Sequence, residues 1–152
     1  MSATPTLRQV ITELHRLFAG VPGLAKLDEN GNPVNLLRYE PRVIQVTPTL
    51  YTLLDSFQRD TSGQVTAMRY RILHRVVLQW QDNAESEAAL EPLIQAVPAA
   101  VDADPTLGGL LEKGVARIGD GSTGFVVISN TKYRCIDFFS DVLTKGPYRS
   151  GI

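Results

Sequence analysis

The chain has 152 residues, 43% of them hydrophobic and 20% charged, with a formal net charge of −1 and a pI near 6.1. That length suits one domain with a real core and is short for two. The near-neutral balance excludes a whole-molecule electrostatic footprint for nucleic acid, although a local basic stripe stays open. No apolar run reaches the ~18–20 residues that a membrane-spanning helix needs, and the N-terminus MSATPTLRQVITEL lacks the pattern of a secretory signal. With Cys135 the lone cysteine, an intramolecular disulfide is impossible and a cysteine-based metal site is disfavoured; no N-x-[ST] sequon occurs. The chain reads as made and used without oxidative folding.

In TPTLRQVITELHRLFAG, the residues Leu7, Val10, Ile11, Leu14, Leu17 and Phe18 recur at helical spacing. The expectation is a helix over about 5–19, with Thr4 as N-cap, Pro5 at the first helical position and Gly20 at the stop. His15 is placed on its polar face with Arg8, Gln9, Thr12, Glu13 and Arg16. Breakers crowd residues 20–42, and LAKL-DENGNP-VNLL reads either as a small hairpin around Asn30-Gly31 or as an ordered arm.

VIQV (43–46) and TLYTLLDSF (49–57) have the composition of strands. RDTSGQ follows as a turn at Gly63, and a long strand then spans roughly 65–80. Its stretch RYRILHRVVLQW alternates. Tyr70, Ile72, His74, Val76, Leu78 and Trp80 share one face, while Arg69, Arg71 and Arg75 share the other with Leu73, Val77 and Gln79. The arginine face is read either as an ordinary solvated sheet surface or as a charged face lining a channel or meeting an acidic partner.

QDNAESEAALEPLIQAVPAAVDAD opens a second helix capped by Asp82 or Asn83, with Glu85 and Glu87 near its N-terminus. Leu90, Leu93, Ile94, Val97 and Val101 define its buried face, and Pro92 and Pro98 predict a kink or break near 97–98. After the loop PTLGG come three strand candidates, LEKGVARI, GFVVIS and KYRCIDFFSDVL, joined by GDGST and SNTK. TKGPYRSGI reads as an extended tail. The whole is an α+β fold, a mostly antiparallel sheet with two helices packed on one face. It forms a single domain over 1–146, with an arm or hairpin at 22–42 and a tail at 147–152.

Catalytic motifs are missing. GDGSTG (119–124) matches G-x-G-x-x-G but leads into a strand, where a dinucleotide loop must open a helix. DENGNP has its glycine at the wrong position for a calcium loop. Asp102 and Asp104 read as capping and turn residues. His74 is expected to be a hydrogen-bonded core or sheet-margin histidine, and Cys135 a reduced strand cysteine. No cofactor, metal or catalytic residue is expected, and the chain does not read as an enzyme.

An N-terminal helix precedes "PTLYTLLDSFQR", and the arginine-bearing strand "YRILHRVVLQWQDN" follows. The helix "AESEAALEPLIQAV" then leads to "AVDADPTLGG", and the last strand pair ends in "YRCIDFFSDVL". Over about residues 4–145 this order resembles the tail terminator (tail completion) proteins of long-tailed bacteriophages and phage-like particles. The DPTLGG loop and the closing KYR…DFFSDVL strand carry the likeness most.

The resemblance implies a structural virion protein, made in the host bacterial cytoplasm and placed at the head–tail junction. It implies a homo-hexameric ring that caps the head-proximal end of the tail tube and ends tube polymerisation. That ring joins the tail tube protein to a head–tail connector or stopper, while genomic DNA passes through its lumen unread. Arg69, Arg71 and Arg75 become candidates for the lumen or a subunit contact. Residues 24–42 are longer than the resemblance leads one to expect, so Asn30, Gly31 and Asn32 are candidate partner contacts. Tyr148 and Arg149 join them on a tail that either adds to a neighbour's sheet edge or frays. The rival readings are another neck component, such as a stopper or head-completion protein, and a monomeric ligand-binding α+β domain.

Overall fold

A computed structural model of the protein describes residues 4–61, 65–80, 83–112 and 114–148. Two helices and five strands follow one another as α1 (Leu7–Phe18), β1 (Leu36–Leu37), β2 (Thr49–Asp60), β3 (Val65–Gln79), α2 (Asn83–Asp102), β4 (Val115–Ile128) and β5 (Thr131–Tyr148). The sheet order is β1-β2-β3-β5-β4, antiparallel at every junction except β1 with β2. The α+β class expected from the pattern is the fold observed.

The apolar stripe of α1 buries Val10, Ile11, Leu14 and Phe18. Its cap is Thr6, two residues later than the sequence suggested. Thr6 Oγ1 accepts the amide of Gln9, and the Gln9 side chain accepts the amide of Thr6 in return. This reciprocal box satisfies two helix-end donors at once, which the Thr4–Pro5 pair could not do.

In α2, Leu90, Leu93, Val97 and Val101 are buried as expected, but Ile94 is 42% exposed. The helix runs unbroken through Pro92 and Pro98, so the expected break is absent. Asp82 lies outside the described residues, and Asn83 is the first helical residue.

Both helices cover one face of the sheet. Ile72, His74, Val76 and Leu78 of β3 meet them there, together with Ile136, Phe138 and Val142 of β5. Burial of these aliphatic and aromatic groups, each contributing roughly 1.5–3 kcal/mol, supplies the main stabilisation. Trp80, the last residue of the same register, is 41% exposed beyond the helices.

The strand expectations need three corrections. VIQV (43–46) forms no strand; Ile44 packs instead on a small second cluster of Tyr51, Val77 and Ile128 on the far face. GDGST is no turn. It runs inside β4, so VARI and GFVVI belong to one strand, Val115–Ile128, paired with β5. Residues 144–148 are no free tail either, since β5 continues to Tyr148 opposite Val65. The turn at Gly63 and the terminal residues 149–152 lie outside the described residues.

The segment before β1 is a packed element. Leu24 is fully buried, and the buried Asn35 clamps the segment: its Nδ2 donates to the carbonyls of Leu24 and Pro48, both at 2.6 Å, and its Oδ1 accepts the Lys26 amide at 2.7 Å. Leu27 bridges Pro33, closing a tight hairpin at Asn30-Gly31. The loop after α2 is fixed as firmly. Asp104 accepts the Gly108 amide and the Arg16 guanidinium, and Leu107 plugs the core.

Candidate assembly surface

The far face of the sheet, opposite the helices, carries the arginines. Alternation in β3 places Arg69, Arg71 and Arg75 there, and each faces a β5 residue in the ladder: Leu143, Asp141 and Asp137. Their fates differ. Arg75 is locked: Nε lies 2.7 Å from Asp137 Oδ1 and Nη2 2.9 Å from Oδ2, a two-pronged pair. Its Nη1 also donates to the Tyr51 hydroxyl at 3.2 Å. Hydrogen bonding to Asp137 holds this guanidinium well above its usual range. Burial raises the Tyr51 phenol, opposed by Arg75.

Arg71 meets two carboxylates, Asp120 at 3.1 Å and Asp55 at 3.3 Å, and its guanidinium lies over the Phe139 ring at 4.1 Å. Both acids are delivered by irregularities at one level of the sheet. The β2–β3 register slips between Leu54 and Ser56, leaving Asp55 as the extra residue. The β4–β5 register slips between Ile118 and Asp120, leaving Gly119. A bulge inserts one residue and re-aims the side chains after it. Here two bulges, on different strands, turn an aspartate toward the same arginine.

Arg69 is exposed, and no described acidic residue pairs with it. Among the described residues, the face is therefore a lattice of matched charges in which Arg69 is the one β3 arginine without an ion pair. Arg117 of β4 faces Asp141 of β5 in the ladder, with no ion pair between them among the described residues.

The other candidates lie elsewhere. Asn30, Gly31 and Asn32 are exposed at the hairpin tip, held by Asp28 Oδ1, which accepts the amides of Asn30 and Asn32 at 2.9 Å. Gly31 has φ +81°, a conformation that glycine adopts without a side-chain clash. Among the described residues, no hydrogen bond or ion pair joins this tip to the arginines. Tyr148 is the last residue of β5, and Arg149 lies outside the described residues.

A buried polar chain was not anticipated. His15 Nε2 meets Thr52 Oγ1 at 2.8 Å, Thr52 Oγ1 meets His74 Nδ1 at 2.9 Å, and His74 Nε2 meets Ser140 Oγ at 2.8 Å. His74, Thr52 and Ser140 are fully buried. Burial pushes His74 down to about 3, helped by His15 and Arg38; burial and then Arg38 push His15 down to about 4. Both rings are therefore neutral near pH 7, each able to donate from one nitrogen and accept at the other. Ser140 and His74 have no accessible surface on which to meet a substrate. The reading of His74 as a hydrogen-bonded core histidine stands, whereas His15 belongs to the buried side of α1. Its position four residues after Ile11 and three before Phe18 was the signal.

Cys135 is a free thiol on β5, 3% exposed and pushed up by burial and the nearby Asp137. Among the described residues, no group of His, Cys, Asp and Glu side chains could hold a metal ion, and no helix is long and apolar enough to cross a membrane.

Compared with known proteins, the chain matches no family model and no curated protein sequence.

Proposed function

We propose that this chain is a ring-forming tail terminator. Six copies cap the head-proximal end of a phage tail tube, stop its growth and present a docking surface to the neck. The observation that supports this most is the two-sided character of the sheet. One face is sealed by helices, and the other is a firm lattice in which Arg71 and Arg75 are already matched by Asp55, Asp120 and Asp137.

A duplex passing such a face meets few unmatched cations. Affinity for DNA rises with the number of phosphates a protein neutralises. A lumen lined with internally paired charges would let DNA slide without holding it and without reading its bases. Within this reading Arg69, the one β3 arginine without an ion pair among the described residues, is left for an outside partner, a neighbouring subunit or the tube protein. The hairpin tip at 30–32, stiffened by Asp28 and anchored by Asn35, is the second partner contact.

Imaging purified protein mixed with tail tubes tests the proposal. Rings of six at one tube end are expected. Tubes that stay uncapped and keep growing at saturating protein would overturn it.

A further inference from the structure

The sheet has two open sides. β1 covers only Leu50 and Tyr51 of β2, and the Arg38 guanidinium takes the Thr52 carbonyl. From Leu53 to Asp60, β2 has no strand partner on that side among the described residues. At the opposite side β4 presents its outer edge beyond Ala116, whose amide already donates to the Pro105 carbonyl at 2.8 Å. Long uncovered edges are templates for another strand.

The two edges suit each other in direction and in face. β2 runs against β3, β3 against β5 and β5 against β4, so β2 and β4 point opposite ways. A second copy set alongside, helices on the same side, brings its β2 antiparallel to β4. Beside β4, on the helix side, lies an open groove of about 260 Å³ lined by Ile94, Pro98, Ile118, Gly121, Ile136 and Phe138. This groove explains why Ile94 is exposed on an otherwise buried helix stripe. Phe57 is 61% exposed and faces Tyr70 in the ladder, which puts it on the helix side of the β2 edge.

We infer that Phe57 of a second copy seats in this groove as that copy's β2 pairs along β4. The aromatic ring then lies opposite Gly121, covering backbone that no side chain of β4 can cover. In this antiparallel arrangement the Asp60 end of the incoming strand runs toward the exposed Arg117. Pairing of β4 with another β4 supplies no equivalent plug, because the one large aromatic of that strand, Phe125, already packs on Trp80 and beneath Lys132. The contact joins unlike surfaces of identical chains, so it propagates head to tail and closes when the rotation permits. It rests on the ring reading for its closure, though not for its existence.

Cross-linking between subunits tests the contact. Arg59→Cys and Gln95→Cys each retain Phe57 and Ile94; Arg59 shares the helix side with Phe57, and Gln95 neighbours Ile94 on α2. Cys135 is too buried to compete. The two variants, mixed at high concentration with tail tubes and treated with a short bis-maleimide, are expected to give cross-linked dimers. Either variant alone is expected to give on the order of tenfold less, and Phe57→Asp placed in the Arg59→Cys chain should remove the difference. Circular dichroism checks that the Phe57→Asp chain is folded.

Capped tubes whose mixture cross-links no better than either variant alone would overturn the contact and leave the ring reading standing. Mixed cross-links on tubes that stay uncapped would keep the contact and remove the ring reading. Neither cross-links nor caps would remove both.

Discussion

Arg75 and Asp137 face each other across the β3–β5 ladder and meet through two parallel hydrogen bonds of 2.7 and 2.9 Å. Their side chains retain only 25% and 18% exposure, so water would only partly replace a partner that is removed. Asp137→Asn, which keeps the shape and removes the charge, is expected to cost about 2 kcal/mol, as for hydrogen bonds to charged groups. Arg75→Met should cost as much, because it strands the carboxylate. The double variant should lose less than the sum, since neither partner is left alone. Urea denaturation of the four proteins checks this.

The other two arginines should behave differently. Arg71 is more exposed and pairs at longer range, so Arg71→Gln is expected to leave the urea midpoint close to the parent's. Arg71→Glu is a harsher change, placing a third acid against Asp55 and Asp120. Arg69→Glu is the clean probe of assembly: its stability is expected to stay within roughly 0.5 kcal/mol of the parent, while tube capping falls. Normal capping by Arg69→Glu would take this residue out of the subunit or tube contact.

Acid should loosen the fold through the buried histidines. Their folded values, about 4 for His15 and about 3 for His74, lie below the ordinary 6.5. A group depressed on folding takes up its proton first in the unfolded chain, so stability is intact above about pH 6.5 and falls as pH drops toward the folded values. For His15 alone the full loss is roughly 3 kcal/mol. The drop in melting temperature between pH 7 and pH 4.5 is expected to be smaller in His15→Gln than in the parent. Equal drops in the two proteins would show that other groups govern the acid limb.

Gly121 tests the close approach of β4 to β5. A Cβ there would meet the Asp137 carbonyl oxygen at 2.5 Å, against backbone that cannot swing aside. Gly121→Ala is expected to destabilise by at least about 2 kcal/mol. Gly124→Ala, where a Cβ meets open space, should be near neutral. Thermal melts of the pair check it.

The parts of the fold that were legible in sequence are those where one force dominates. The alternation in RYRILHRVVLQW and the stripe of α1 both report burial against a single face, and the structure follows them residue by residue from Ile72 to Leu78. Legibility fails where local chemistry and tertiary context disagree. Glycines in GDGSTG signal a turn, yet Gly121 is there because β5 lies too close for a side chain. The actual turn is Ser129-Asn130, with φ of 51° and 64°. VIQV has strand composition but serves as a lid over Val77 and Tyr51. The arginine face was visible as a stripe of charge. That two of its members are matched within the chain was not, because Asp55 and Asp120 reach Arg71 only through register slips that no periodicity reveals.

Those slips have a further meaning. In a strand, odd and even positions see opposite sides, and Gly119 is the single residue that swaps the parity of everything after it in β4. Were Gly119 an ordinary paired residue of the ladder, Asp120 would fall on the even side with Ile118, beneath the helices, and the order of inside and outside would invert as far as Ile128. The extra residue in β2 does the same for Ser56 onward. The sheet is thus written in phase, and its two faces keep their separate chemistry by counting. Deleting Gly119 would leave both faces as they are, because Ile118 and Asp120 already pair with the consecutive residues Ser140 and Phe139; a residue inserted into the β4 ladder is what would invert them.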